Sequence, residues 1–129
     1  MRIYLAASFS RKEELKKYRE DMEAIGHECS SRWLDVEAND AAADLTLDEK
    51  TLQKYARKDL EDVVGSDMLI VFSEEEGVAA RGGKHVEYGC ALGCGIDVAV
   101  VGRTEHLFHH MKGVPVYTNW EECLAAITY

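Results

Sequence analysis

Apolar and polar positions along the chain follow two periods, and the switches between them mark the elements. "RIYLAAS" is a short apolar run rich in strand formers, and "SRKEELKKYREDMEAIG" then shows helical spacing, with Leu15, Tyr18, Met22 and Ile25 on one face. Ser10 is the expected N-cap of that helix and Gly26 its expected stop. "HECSSRW" reads as a second strand, and "LDVEANDAAADLTLDE" has no period and reads as a long loop. A helix is expected from Asp48 to Val64, then a buried strand in "DMLIVF" and a second long loop in "SEEEGVAARGG". "KHVEYGCALGCG" reads as a helix, "DVAVVG" as a strand, "TEHLFHHMKG" as a loop or short helix and "VPVYT" as the last strand. "NWEECLAAI" closes the pattern as a helix capped by Asn119.

This alternation predicts an α/β fold, a doubly wound, mainly parallel five-stranded sheet with helices on both faces, of the Rossmann or flavodoxin-like kind. "MLIVF" and "VAVV" are apolar at every position, as strands covered on both faces should be. In such sheets ligands bind at the carboxyl ends of the strands. Three segments are expected there: "AASFS", "SEEEGVAARGG" and the loop after Trp33.

Composition narrows the function classes. The 129 residues suit one domain spanning 1–129, and 47% apolar with 30% charged residues is ordinary for a globular chain. No apolar run reaches the ~18–20 residues of a membrane span. The opening segment enters a strand pattern without the apolar core and cleavage site of a signal peptide, so a cytoplasmic location is expected. A net charge of −9 argues against nucleic acid or an anionic membrane as partner, because both reward broad basic surfaces. Cys29, Cys90, Cys94 and Cys123 form no CxxC pair and read as buried, reduced thiols.

Two carboxylates are out of place for mere surface charge. Asp59 is four residues from both Tyr55 and Val63 and seven from Leu52, so an acid interrupts a stripe that should face the core. It must be paired, either structurally with an arginine or backbone groups, or it must line a wet pocket. Glu87 follows the Gly82–Gly83 pair where a helix begins. A helix start favours an ionised carboxylate, and glycines let a ligand approach the backbone. An ionised, accessible carboxylate is a competent nucleophile, as in glycosyl transfer, although acids are also commonplace in first turns. Neither GxxxxGK[ST], GxGxxG nor GxSxG occurs.

Taken in order, "IYLAASF", "DLEDVVGSDMLIVF", "GGKHVEYGCALG" and "VAVVG" resemble the motifs of the nucleoside 2-deoxyribosyltransferase-like family. That family includes nucleoside deoxyribosyltransferases and 2′-deoxynucleoside 5′-monophosphate N-glycosidases. The resemblance runs through nearly the whole chain and implies a role for each matching residue. Glu87 matches the nucleophile that attacks C1′, Asp59 the acid that contacts the base and assists its departure, and Tyr4 the strand tyrosine that holds the nucleophile. A tyrosine at that place goes with 2-deoxyribose substrates. The resemblance further implies that no metal or organic cofactor is needed. It also implies a homodimer or higher homo-oligomer in which the partner helps close the site through the segment around His106 and Phe108.

The substrate is a small nucleoside or nucleotide on this reading. A 5′-phosphate would find donors in Ser8, Ser10 and Arg11 after the first strand, and in Arg81, Gly83 and Lys84 around the glycine pair. Arg81 departs from the family pattern, which has an acid in the transferases and a serine in the monophosphate hydrolases. These donors favour a monophosphate hydrolase; the alternative is a nucleoside 2-deoxyribosyltransferase that moves deoxyribose between bases. Trp33 could stack on a base or sit in the core. His106 stands where the family usually has asparagine. His106 and His110 are four apart with His109 beside them, and a metal site there would lack an identifiable third ligand. Two further classes compete. A phosphoribohydrolase would show Pro-Gly-Gly and a following Gly-Thr, which are absent, and a non-catalytic nucleotide-binding module would not require Tyr4, Asp59 and Glu87 together.

Overall fold

The computed structural model describes residues 1–36, 48–78 and 82–128. Five strands form one all-parallel sheet: β1 (Arg2–Ala6), β2 (Glu28–Cys29), β3 (Met68–Phe72), β4 (Asp97–Val101) and β5 (Val116–Tyr117). Their order is β2-β1-β3-β4-β5. Tyr4 lies opposite Leu69, and Ala6 opposite Val71, so β1 and β3 end together. The chain reverses its direction of winding between these two strands, and in open parallel sheets that crevice is where ligands bind.

Four helices cover the sheet: α1 (Lys12–Ala24), α2 (Glu49–Val64), α3 (Gly83–Gly93) and α4 (Trp120–Ala126). α1 packs with α4, and α2 with α3, as a doubly wound sheet requires. All five residues of β3 are buried. Tyr18 of α1 stacks on Phe72 at 5.3 Å and on Trp120 at 4.9 Å, joining α1, β3 and α4.

Local chemistry explains the helix ends. Asp48 caps α2, its side chain accepting the Thr51 amide at 2.9 Å, and Asn119 caps α4 by accepting the Glu122 amide at 2.9 Å. Ser10 does not cap α1. A 3-10 turn over Phe9–Arg11 precedes the helix, and Ser10 is an exposed residue within it. Gly82 caps α3 with φ 92°, a left-handed value that glycine adopts without steric penalty. The edge strands β2 and β5 are only two residues long, shorter than their apolar patterns suggest. The long loop expected after Trp33 begins with a 3-10 turn over Arg32–Asp35, and its centre, 37–47, lies outside the described residues.

Candidate active site

The site assembles where β1, α2 and α3 meet. Tyr4 is fully buried on β1, and its hydroxyl donates to Glu87 Oε2 at 2.5 Å. Glu87 lies in the second turn of α3 rather than at its first residues, where the pull of the helix end has faded. Burial therefore governs its charge. Desolvation pushes the Glu87 carboxyl up to about 8, the Tyr4 hydrogen bond pulls it down, and the negative fields of Asp59 and Asp62 push it up again. Glu87 thus sits a turn beyond the helix start that was expected to ionise it, and its carboxyl titrates just above neutrality, so a carboxylate fraction is present at physiological pH. Burial, with the fields of Glu87 and Asp59, also lifts the Tyr4 phenol well above its usual range, so Tyr4 keeps its proton and acts as a donor.

Asp59 is half-buried on α2. Desolvation, reinforced by Asp62, raises its carboxyl to about 7, while Arg32 opposes the shift. A carboxyl that titrates near 7 can carry a proton to a leaving group at physiological pH. Asp59, Glu87 and Tyr4 thus share one electrostatic neighbourhood although they come from three elements.

Asp62 was not singled out by the sequence pattern. It is buried, and it accepts the Arg32 backbone amide at 3.0 Å and Arg32 Nε at 2.8 Å. That clamp ties α2 to the turn carrying Trp33, whose Nε1 donates to the Leu5 carbonyl at 2.9 Å. Asp62 is one turn beyond Asp59, and a second acid at that spacing was the available signal. Trp33 is buried in the core cluster, so the structure gives it a packing role and no stacking face for a base.

The residues expected to hold a phosphate are differently arranged. Lys84 turns inward: its Nζ lies 2.8 Å from Glu105 Oε1, 3.7 Å from Glu74 Oε1 and 3.0 Å from the Phe72 carbonyl, and its side chain is 1% exposed. A lysine so enclosed by two carboxylates presents no charge to a ligand. Arg11 faces Glu14 in a bidentate pair at 2.9 and 2.7 Å and donates to the Ser73 carbonyl at 2.8 Å. The Ser8 hydroxyl donates to Glu74. Gly83 is exposed, and a Cβ there would meet nothing within 4 Å, while Arg81 lies outside the described residues. A cleft of about 310 Å³ beside these groups is lined by Arg11, Glu14, Ser73, Glu74, Glu75 and Val78, three acids against one cation.

Beyond α3, His106 is half-buried and Phe108 is 52% exposed, next to Leu107 at 72%. Tyr88 fastens this segment, its hydroxyl donating to the Phe108 carbonyl at 2.7 Å. Of the cysteines, Cys123 is buried, Cys29 and Cys90 are half-buried, and Cys94 is exposed at the end of α3. The expectation of four buried thiols is corrected at Cys94, because the helix face turns to solvent there.

No protein-family profile and no curated protein sequence matches the chain. Solved structures do. A CMP N-glycosidase from Clostridium botulinum, BcmB, superposes with a TM-score of 0.59 at 23% identity, over 98% of each chain. A 2-deoxyribosyltransferase from Bacillus psychrosaccharolyticus superposes with a TM-score of 0.71 at 17% identity, over 96% of this chain and 90% of that one. The chain shares their fold. The two neighbours are an N-glycosidase and a deoxyribosyltransferase, kinds of enzyme that the family its motifs resemble includes. Among the described residues no helix is long and apolar enough to cross a membrane.

Proposed function

We propose that the protein cleaves the N-glycosidic bond of 2′-deoxyribosyl nucleosides or nucleotides through a covalent deoxyribosyl ester on Glu87. The observation that carries the reading is the hydrogen bond from Tyr4 to Glu87 Oε2, with Asp59 in the same charged neighbourhood. Tyr4 fixes the rotamer of Glu87 and leaves Oε1 to bond C1′. As the C1′–N bond breaks, positive charge develops on the sugar, and an adjacent carboxylate stabilises it before bonding to it. Asp59, carrying a proton near neutral pH, delivers it to the departing base. Water then attacks C1′ and gives its proton to the Asp59 carboxylate. The free sugar leaves and Glu87 is a carboxylate again. A second base attacking in place of water completes a transfer, and the same residues serve both outcomes.

The phosphate question turns on the neighbourhood of Arg11 and Lys84. Both cations are paired with carboxylates, and Ser8 is bonded to Glu74. A phosphate there would face Glu14, Glu74 and Glu75, which favours an uncharged 5′-hydroxyl over a 5′-phosphate. The monophosphate reading retains Ser10 and Arg81 as donors, and the CMP N-glycosidase neighbour speaks for it. A single domain acting as a homo-oligomer in the cytoplasm completes the proposal.

The test is incubation with deoxynucleosides and their 5′-monophosphates, each with and without an acceptor base, with free base measured by chromatography. Release of base from a deoxynucleoside is expected. Release from none of the substrates would remove the catalytic reading and leave a nucleotide-binding module on the same fold.

A further inference from the structure

A second constellation lies on the other side of α3 and has no part in the proposed chemistry. His85 projects from the first turns of α3, and His106 and His109 from the segment after β4. Each ring offers a nitrogen, and the three nitrogens all lie within 4.8 Å of one another. His106 Nε2 is 3.1 Å from His85 Nδ1, and the His106 and His109 rings stand 3.8 Å apart, centre to centre. Tyr88 walls the cluster, its ring 4.9 Å from His109.

The polar accounting of this cluster does not close. His109 is 1% exposed; its Nδ1 accepts the Glu105 amide at 3.0 Å, and its Nε2 has no partner. Nδ1 of His106 is likewise buried and without a partner. Buried polar atoms are nearly always satisfied, so two orphans within one three-histidine cluster require an explanation.

We propose that His85, His106 and His109 form a binding site for one divalent borderline transition-metal ion such as zinc, held by three imidazoles with a fourth position open to water. Tetrahedral zinc at about 2.0–2.1 Å from each nitrogen places its ligands roughly 3.3 Å apart. The His85–His106 pair already stands close to that spacing, and the third ring must move inward. His109 is the most demanding ligand. It must either move its proton from Nε2 to Nδ1 and bind through Nε2, or bind through Nδ1; both routes release the Glu105 amide, so metal uptake loosens that contact. Three imidazoles suit zinc, copper and nickel better than calcium or magnesium, which take oxygen ligands. The ion would pin the 103–113 segment to α3, the helix that carries Glu87.

Cobalt(II) reports this site directly, because a tetrahedral cobalt ion has intense visible absorption. Chelator-stripped full-length protein is titrated with cobalt chloride and then with zinc chloride. The expected result is one saturable equivalent with tetrahedral bands, displaced by zinc, and a zinc-dependent rise in Tm. His106→Asn and, separately, His85→Gln should weaken cobalt binding roughly tenfold to a hundredfold or more. His110→Ala should not, since His110 is exposed and outside the set. His27→Ala guards against a competing chelate, because the N-terminal amine lies 3.0 Å from His27 Nδ1. Thiolate charge-transfer bands would instead point to Cys90 and Cys94. The proposal is overturned if no tetrahedral spectrum develops, if binding survives in both His106→Asn and His85→Gln, or if it disappears in His27→Ala.

Discussion

Tyr4 and Glu87 are 83 residues apart in sequence, and their side chains meet at 2.5 Å between β1 and α3. The contact is a donor fixed on a strand buried from Ile3 to Ala6 and an acceptor on a helix that could otherwise choose among rotamers. Removing the donor should free Glu87 and leave its carboxyl harder to ionise. Tyr4→Phe is expected to stay folded and to lose roughly 10- to 100-fold in kcat, the range set by one hydrogen bond to a charged group. Steady-state kinetics checks this, and a Tyr4→Phe enzyme with normal kcat would detach Tyr4 from the chemistry.

Asp59 couples activity to stability in opposite directions. Its folded carboxyl titrates near 7 against an ordinary value of 3.8. Its contribution to stability is thus fully present below about pH 4 and is lost as pH rises through about 7. Asp59→Asn should therefore stabilise the fold at pH 8, by on the order of 1 kcal/mol after allowance for its partial exposure and visible as a higher Tm, and leave Tm unchanged at pH 4. The same variant should lose roughly 100-fold in kcat with a modest change in KM, because the proton matters in the transition state. Thermal melts at both pH values and kinetics with a deoxynucleoside test the two halves. A variant less stable at pH 8 would mark Asp59 as a structural partner instead.

Lys84 is a structural cation. Replacing it with methionine leaves the buried Glu74 and the half-buried Glu105 without their counter-charge, and such losses cost about 3–5 kcal/mol. Denaturant unfolding of Lys84→Met at pH 7 should show a loss of that size. A loss below about 1 kcal/mol would mean that Lys84 is available to a ligand after all.

These residues also mark how far the sequence can be read. The apolar runs of β3 and β4 and the helical face of α1 predict the sheet and its cover, because periodicity is a local property. Asp59 is visible as an acid that breaks a stripe, and the resemblance of "GGKHVEYG" singles out Glu87. The inward turn of Lys84 was hidden, since it depends on Glu74, ten residues before it, and on Glu105, twenty-one after it. The surroundings of Glu87 are hidden for a similar reason. A helix start suggests ionisation, but burial beside Tyr4, Asp59 and Asp62 outweighs it. His109 was seen as a neighbour of His106, while its companion His85 became visible only when α3 packed against the segment after β4.

Substrate choice follows from the acids around Arg11. A deoxynucleoside should have a kcat/KM equal to or above that of its 5′-monophosphate. Glu74→Gln, which removes one of the facing charges, should shift the ratio toward the monophosphate. A wild-type preference of tenfold or more for the monophosphate, lost in Arg11→Ala, would restore the phosphate role to Arg11.

The central claim is a covalent bond between C1′ of the sugar and Glu87. Incubation with a slow 2-fluorinated deoxynucleoside, followed by intact-mass measurement and peptide mapping, tests it most directly. The account predicts a single fluorodeoxyribosyl adduct on the peptide carrying Glu87, formed together with free base and absent in Glu87→Gln. Base released with no adduct, or an adduct on another residue, would contradict it.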